Sequence, residues 1–143
     1  MKCHLALFIA SLLFFCTGYH EMKSTGSSGY GQSKSENGNL IITFSVLAFT
    51  PESRIKRFLM LRCAEVTLES YCTYFRIVND LSYENGKTPY GGQIGDNTHE
   101  SAFEIEITQN LPETDKDYYY KAQDVVDAGG SVEIKIKDYS PRR

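Results

Sequence analysis

Tyr71-Cys72-Thr73-Tyr74-Phe75-Arg76-Ile77-Val78 is the stretch on which the fold turns. Thr73, Phe75 and Ile77 alternate with Tyr74, Arg76 and Val78, and β-branched and aromatic residues dominate. Period-two alternation of this kind predicts a half-buried strand, with Phe75 and Ile77 directed inward. Tyr74, Arg76 and Val78 then share the outward face. Arginine and tyrosine are types that protein interfaces favour, which makes these three the candidate protein-binding residues.

Working outward, several further runs have the same character. Leu40, Ile42, Phe44, Val46 and Ala48 alternate with Ile41, Thr43, Ser45, Leu47 and Phe49, and Pro51 ends the run. Both sets are apolar enough to predict a strand buried between layers. Phe103, Ile105 and Ile107 alternate with Glu104 and Glu106, a strand with one solvated face. Residues 118–126 read as a strand, with a short helix as the alternative. Val132, Ile134 and Ile136 predict a final strand after the turn Ala128-Gly129-Gly130. Residues 82–101 carry Asn85-Gly86, Gly91-Gly92 and Gly95-Asp96-Asn97 and read as loop and turn. Residues 55–69 fit two patterns, since Ile55, Phe58, Leu59, Cys63 and Val66 have helical spacing while 58–61 is a short apolar run. A strand over 57–63 is the reading adopted, because a link from Cys63 to Cys72 would then join neighbouring strands. Together these runs predict an all-β domain, an antiparallel β-sandwich, over residues 39–139.

The amino end reads as an export signal. Met1, Lys2 and His4 precede an apolar core at 5–15 that is too short to span a bilayer, and Cys16-Thr17-Gly18 supplies small residues for cleavage. Residues 1–18 are therefore a signal peptide and the product is secreted. Residues 19–38, centred on Ser24-Thr25-Gly26-Ser27-Ser28-Gly29, read as a flexible leader, since they offer little apolar surface to bury. Cys63 and Cys72 are the cysteines left after cleavage. In an oxidising compartment they predict one disulfide, with two free thiols as the alternative.

The 143 residues carry a formal charge of −3, and this acidity disfavours nucleic acid as a partner. Catalytic chemistry is poorly provided for. His20 falls in the leader and His99 in a turn region, and no glycine-framed serine offers a nucleophile. An enzyme is not expected, and neither is a cofactor. Calcium is the one ion to consider: Asp80, Asp115, Asp117 and Asp138 fall in or beside loops that could converge at one end of a sandwich. A module of that kind would act at a membrane lipid surface.

Three stretches resemble the N-terminal domain of Notch ligands of the Delta/Serrate/Jagged type. Gly38-Asn39-Leu40-Ile41-Ile42-Thr43-Phe44 is similar to that domain's opening strand. Cys72-Thr73-Tyr74-Phe75-Arg76-Ile77 resembles its cysteine-framed Thr-aromatic-Phe-basic segment. Thr88-Pro89-Tyr90-Gly91, continuing through Gly95-Asp96-Asn97 to Phe103, looks like its glycine-bearing turn. The stretches span about residues 38–105 in the family's order. Val78-Asn79 and Pro89-Tyr90 stand where the family usually has cysteines, and tryptophan is absent from the sequence. The resemblance implies a C2-like sandwich and an extracellular receptor of Notch type as the partner.

Overall fold

A computed structural model describes residues 21, 29–47, 50–82 and 98–137. Residues 1–18, expected to be a signal peptide, His20, residues 83–97, expected to be glycine-rich turns, and Asp138 lie outside the described residues. The elements run β1 (Gly29–Lys34), β2 (Leu40–Leu47), α1 (Glu52–Glu69), β3 (Tyr74–Asp80), β4 (Thr98–Thr108), a 3₁₀ turn (Lys116–Tyr118), β5 (Tyr120–Lys121) and α2 (Ala122–Asp127). The fold is β-rich. Its five strands form one antiparallel sheet in the order β1-β2-β4-β3-β5.

β4 lies between β2 and β3 and is antiparallel to both, so β2 and β3 run parallel and α1 is the crossover between them. This is a split β-α-β unit. Among the described residues the layer stacked on the sheet is this helix, where a second sheet was expected. The strand reading of 57–63 is corrected accordingly: those residues are α1. Ile55, Phe58, Leu59, Cys63 and Val66 are buried on it at intervals of three and four, and they meet Leu40, Ile42, Phe44, Phe103, Ile105, Phe75 and Ile77 in one core. Phe44 and Phe58 pack with ring centroids 5.5 Å apart. The helix is rich in Arg, Leu, Met and Glu, which lose little rotamer freedom in a helix. Its polar face is joined by Arg62 to Glu65 at 3.1 Å and to Glu69 at 2.8 Å.

Other boundaries also move. The leader contains β1, whose residues pair with β2 from Gly29↔Ser45 to Lys34↔Leu40. β4 begins at Thr98, inside the span read as loop. Residues 118–126 divide into the 3₁₀ turn's last residue, β5 and most of α2. The expected strand at 132–136 makes a single bridge, Ile77↔Ile136, although Val132, Ile134 and Ile136 do pack against the core. Tyr120 explains this. Its ring stacks on Phe75 at 5.2 Å, its hydroxyl donates to the carbonyl of Glu133 at 2.8 Å, and the same oxygen accepts the Lys135 N–H. One side chain thus satisfies backbone groups that a strand ladder would have used.

Both helices end in Schellman geometry, with the second residue past the cap bonded back to the third-last carbonyl. In α2 the Gly130 N–H reaches the Val125 carbonyl and the Gly129 N–H that of Val126, both at 2.9 Å. A Cβ on Gly130 would stand 2.1 Å from the carbonyl oxygen of Arg57 in α1, and φ there is +78°. On Gly129 it would meet nothing within 4 Å, at φ +59°. Gly129→Ala should therefore cost about 1 kcal/mol from backbone conformation alone. Gly130→Ala should cost at least about 3 kcal/mol, because α1 and α2 must also separate. Urea unfolding of the two variants checks the order, and equal losses would contradict this packing.

Candidate functional site

The register of β3 on β4 decides which side chains share the sheet's outer face. Arg76 pairs with Glu106 and Tyr74 with Thr108, opposite in direction to the buried Phe75 and Ile77. The expectation that Tyr74 and Arg76 lie together on the outer face agrees with this register. Between Ile77 and Asn79 the register shifts, leaving Val78 as an extra, half-buried residue. Such a bulge re-aims the residues after it. Asn79, not Val78, comes opposite Glu104.

Arg76 is the hub of a charged network. Its Nε donates to Glu106 Oε2 at 2.7 Å, and its Nη1 lies 3.5 Å from Asp115 Oδ2. The guanidinium carbon sits 5.4 Å from the centre of the Tyr119 ring, whose hydroxyl donates to Glu106 Oε1 at 3.3 Å. Burial by itself would lower the pKa of Arg76. The hydrogen bond and charge of Glu106, with Tyr119 and Asp115, outweigh it and raise the value. Burial, followed by the Glu106 charge, pushes the Tyr119 phenol up despite the opposing arginine. Lys137 Nζ holds both oxygens of Asp115 at 2.9 Å. Two cations and two carboxylates thus balance one another across the face.

This pairing bears on the calcium candidates. The Asp115 carboxylate is engaged by Lys137 and Arg76, Asp80 accepts the Ser82 N–H at 2.9 Å, and Asp117 is exposed in the 3₁₀ turn. Among the described residues, no three His, Cys, Asp or Glu side chains are grouped so as to hold a metal ion. His99 belongs to β4, opposite Val46.

Glu104 was expected on a solvated face and is only 7% exposed. Its carboxylate accepts from Asn39 Nδ2 at 3.0 Å and Asn79 Nδ2 at 2.6 Å. Burial works to raise its pKa, and the donors Asn79 and Asn39 outweigh burial and hold it below the ordinary carboxylate value. The bulge at Val78 supplies the closer of the two asparagines. No alternation pattern announces such a cage, since its members come from a turn, a bulge and a strand.

At the start of β3 the chain leaves α1 through a second Schellman turn. Tyr71 N–H bonds the Leu68 carbonyl and Cys72 N–H that of Thr67, both at 3.0 Å. Tyr71 occupies the left-handed position, φ 59°, and is 91% exposed. Leu111, the other large exposed apolar side chain among the described residues, follows β4 at the same end of the sheet, where Thr73 N–H meets the Thr108 carbonyl. Tyr71 opened the stretch quoted first, yet only the helix end reveals its conformation.

Cys63 and Cys72 are free thiols, so the predicted bridge is not formed in this structure. Cys63 lies in the core of α1, where burial pushes its thiol far up, beyond the range in which it ionises. No helix among the described residues is long and apolar enough to cross a membrane. Comparison with protein families, with curated proteins and with solved structures returned no match.

Two outcomes follow from this geometry. Iodoacetamide applied to the folded protein should label the peptide carrying Cys72 and spare that carrying Cys63, with both labelled in denaturant. Labelling of neither until a reductant is added would mean that they are bridged. Because Glu104 has a lowered pKa when folded, it stabilises the fold above the ordinary carboxylate range and ceases to do so as pH falls through its folded value. Glu104→Gln should lose about 1–3 kcal/mol at pH 7, since two amide donors would then face a third. Its stability should also fall less than that of the parent between pH 5 and 3. Parallel pH dependence of the two proteins would contradict the cage.

Proposed function

We propose that this chain is an exported, non-catalytic binding module that meets an extracellular protein through the end of the sheet bearing Tyr71, Tyr74, Arg76 and Leu111. Tyr71 carries the argument. It holds a left-handed conformation that favours glycine and leaves 91% of its surface in solvent. Neither core packing nor the helix cap calls for a tyrosine there, and residues that break a local rule without structural gain mark functional surfaces. Arg76 stands close by in sequence and is already fixed by Glu106 and Asp115, so ordering it against a partner costs little. Tyrosine and arginine anchors, with an exposed leucine following the neighbouring strand, fit a protein interface better than a sugar or nucleic-acid site.

The partner class comes from the three stretches that resemble Notch ligands. A receptor of Notch type is the partner we propose, with secretion as the route by which the two meet. Two of those stretches supply β2 and β3, neighbours of β4 in the sheet. The calcium and membrane alternative draws no support from Asp115, which is already neutralised.

Surface plasmon resonance over an immobilised Notch-type receptor ectodomain tests this reading. The parent protein should bind saturably, and Tyr71→Gly should abolish that binding while gaining about 1 kcal/mol in urea unfolding, because glycine relieves the left-handed strain. No binding by the parent would remove the receptor assignment. Undiminished binding by the variant would remove the surface assignment.

A further inference from the structure

A groove of about 580 Å³ lies between the start of α1 and the segment after α2, on a part of the molecule not used by the surface just described. Met60, Val132 and Ile134 supply its apolar lining and Arg54, Lys56 and Arg57 its cations, while no carboxylate among the described residues lines it. Its size falls within the range of small-molecule sites. In a chain of net charge −3, three cations around one recess are a local reversal.

The cations also run against the helix. Arg54, Lys56 and Arg57 stand in the first two turns of α1, Glu65 and Glu69 towards its end, and Glu52 alone follows the favourable order in the first turn. Positive charge near a helix N-terminus is unfavourable, because the amides there already carry partial positive charge. Lys56 has Glu52 at 2.7 Å. Arg54 and Arg57 make no ion pair among the described residues, whereas Arg62 on the same helix binds two glutamates. Both guanidiniums are instead gathered on one ring, 5.5 Å and 5.3 Å from the centre of Phe58. Gly130, fitted against the Arg57 carbonyl, holds the opposite wall in place. Two like charges set over one ring beside a partly apolar recess, with no carboxylate paired to either among the described residues, describe a site for an anion that has a hydrocarbon body.

We propose that this groove binds a free, monomeric amphipathic anion, its carboxylate or phosphate head between Arg54 and Arg57 and its chain on Val132 and Ile134. Arginine suits such heads because its fork can donate two parallel hydrogen bonds.

Isothermal titration of the full chain with sodium decanoate and with decyl phosphate, each below its critical micelle concentration, tests the proposal. One equivalent should bind, Arg54→Gln and Arg57→Gln should each weaken binding about tenfold, and decyltrimethylammonium should not bind. The double variant should keep the parent's circular dichroism and melt no earlier than the parent, since it removes repulsion as well as ring contacts. Four results would each overturn the proposal: no binding of either anion, unchanged affinity in the double variant, equal binding of the cationic amphiphile, or binding only to vesicles of anionic phospholipid.

Discussion

Phe44 of β2 and Phe58 of α1, with ring centroids 5.5 Å apart, mark the line along which the helix is laid over the sheet. Ile42, Phe103, Ile105 and Phe75 are fully buried under the same helix, beside Leu59 and Cys63. Burying a large apolar side chain contributes about 1.5–3 kcal/mol, so this seam is the main reason the chain closes at all. It also sets the sheet order. Once α1 carries the chain from β2 across to a parallel β3, the gap between them is filled by β4, which returns antiparallel to both.

The side of the sheet turned away from α1 follows a different logic. Two separate polar clusters stand on it, one neutral in its donors and one fully charged. Around Glu104 a single carboxylate is held by amides from Asn39 and Asn79, with no cation among the described residues. Around Arg76 two carboxylates and two cations compensate one another. The β-bulge at Val78 separates the two clusters and delivers Asn79 to the first. Tyr74 lies on this face two residues before Arg76, at the strand end that follows Tyr71.

How much of this was legible depended on how far alternation extends. β2 and the core of β3 could be read residue by residue, because Leu40, Ile42 and Phe44, like Phe75 and Ile77, alternate towards α1, and Ile41 and Ser45 are buried on the other side of β2. β1 could not be read, since Gln32, Ser33 and Lys34 are exposed on an edge strand and leave no hydrophobic signature. Val132, Ile134 and Ile136 alternate correctly yet form no strand, because Tyr120 takes up backbone groups of the intervening residues; alternation reports burial, not a ladder. The helix at Glu52–Glu69 had helical spacing in its favour, and an assumed Cys63–Cys72 link tipped the reading towards a strand. The candidate surface was half legible. Tyr74 and Arg76 followed from alternation, whereas the Tyr71 turn, the Glu104 cage and the cationic groove depend on chain ends meeting in space.

The most direct measurement is an NMR assignment of the protein with carbon chemical shifts across residues 50–80. The account predicts an unbroken helical pattern from Glu52 to Glu69, with through-space contacts between the rings of Phe44 and Phe58. Extended shifts over residues 57–63, with cross-strand contacts from Cys63 to Cys72, would contradict it.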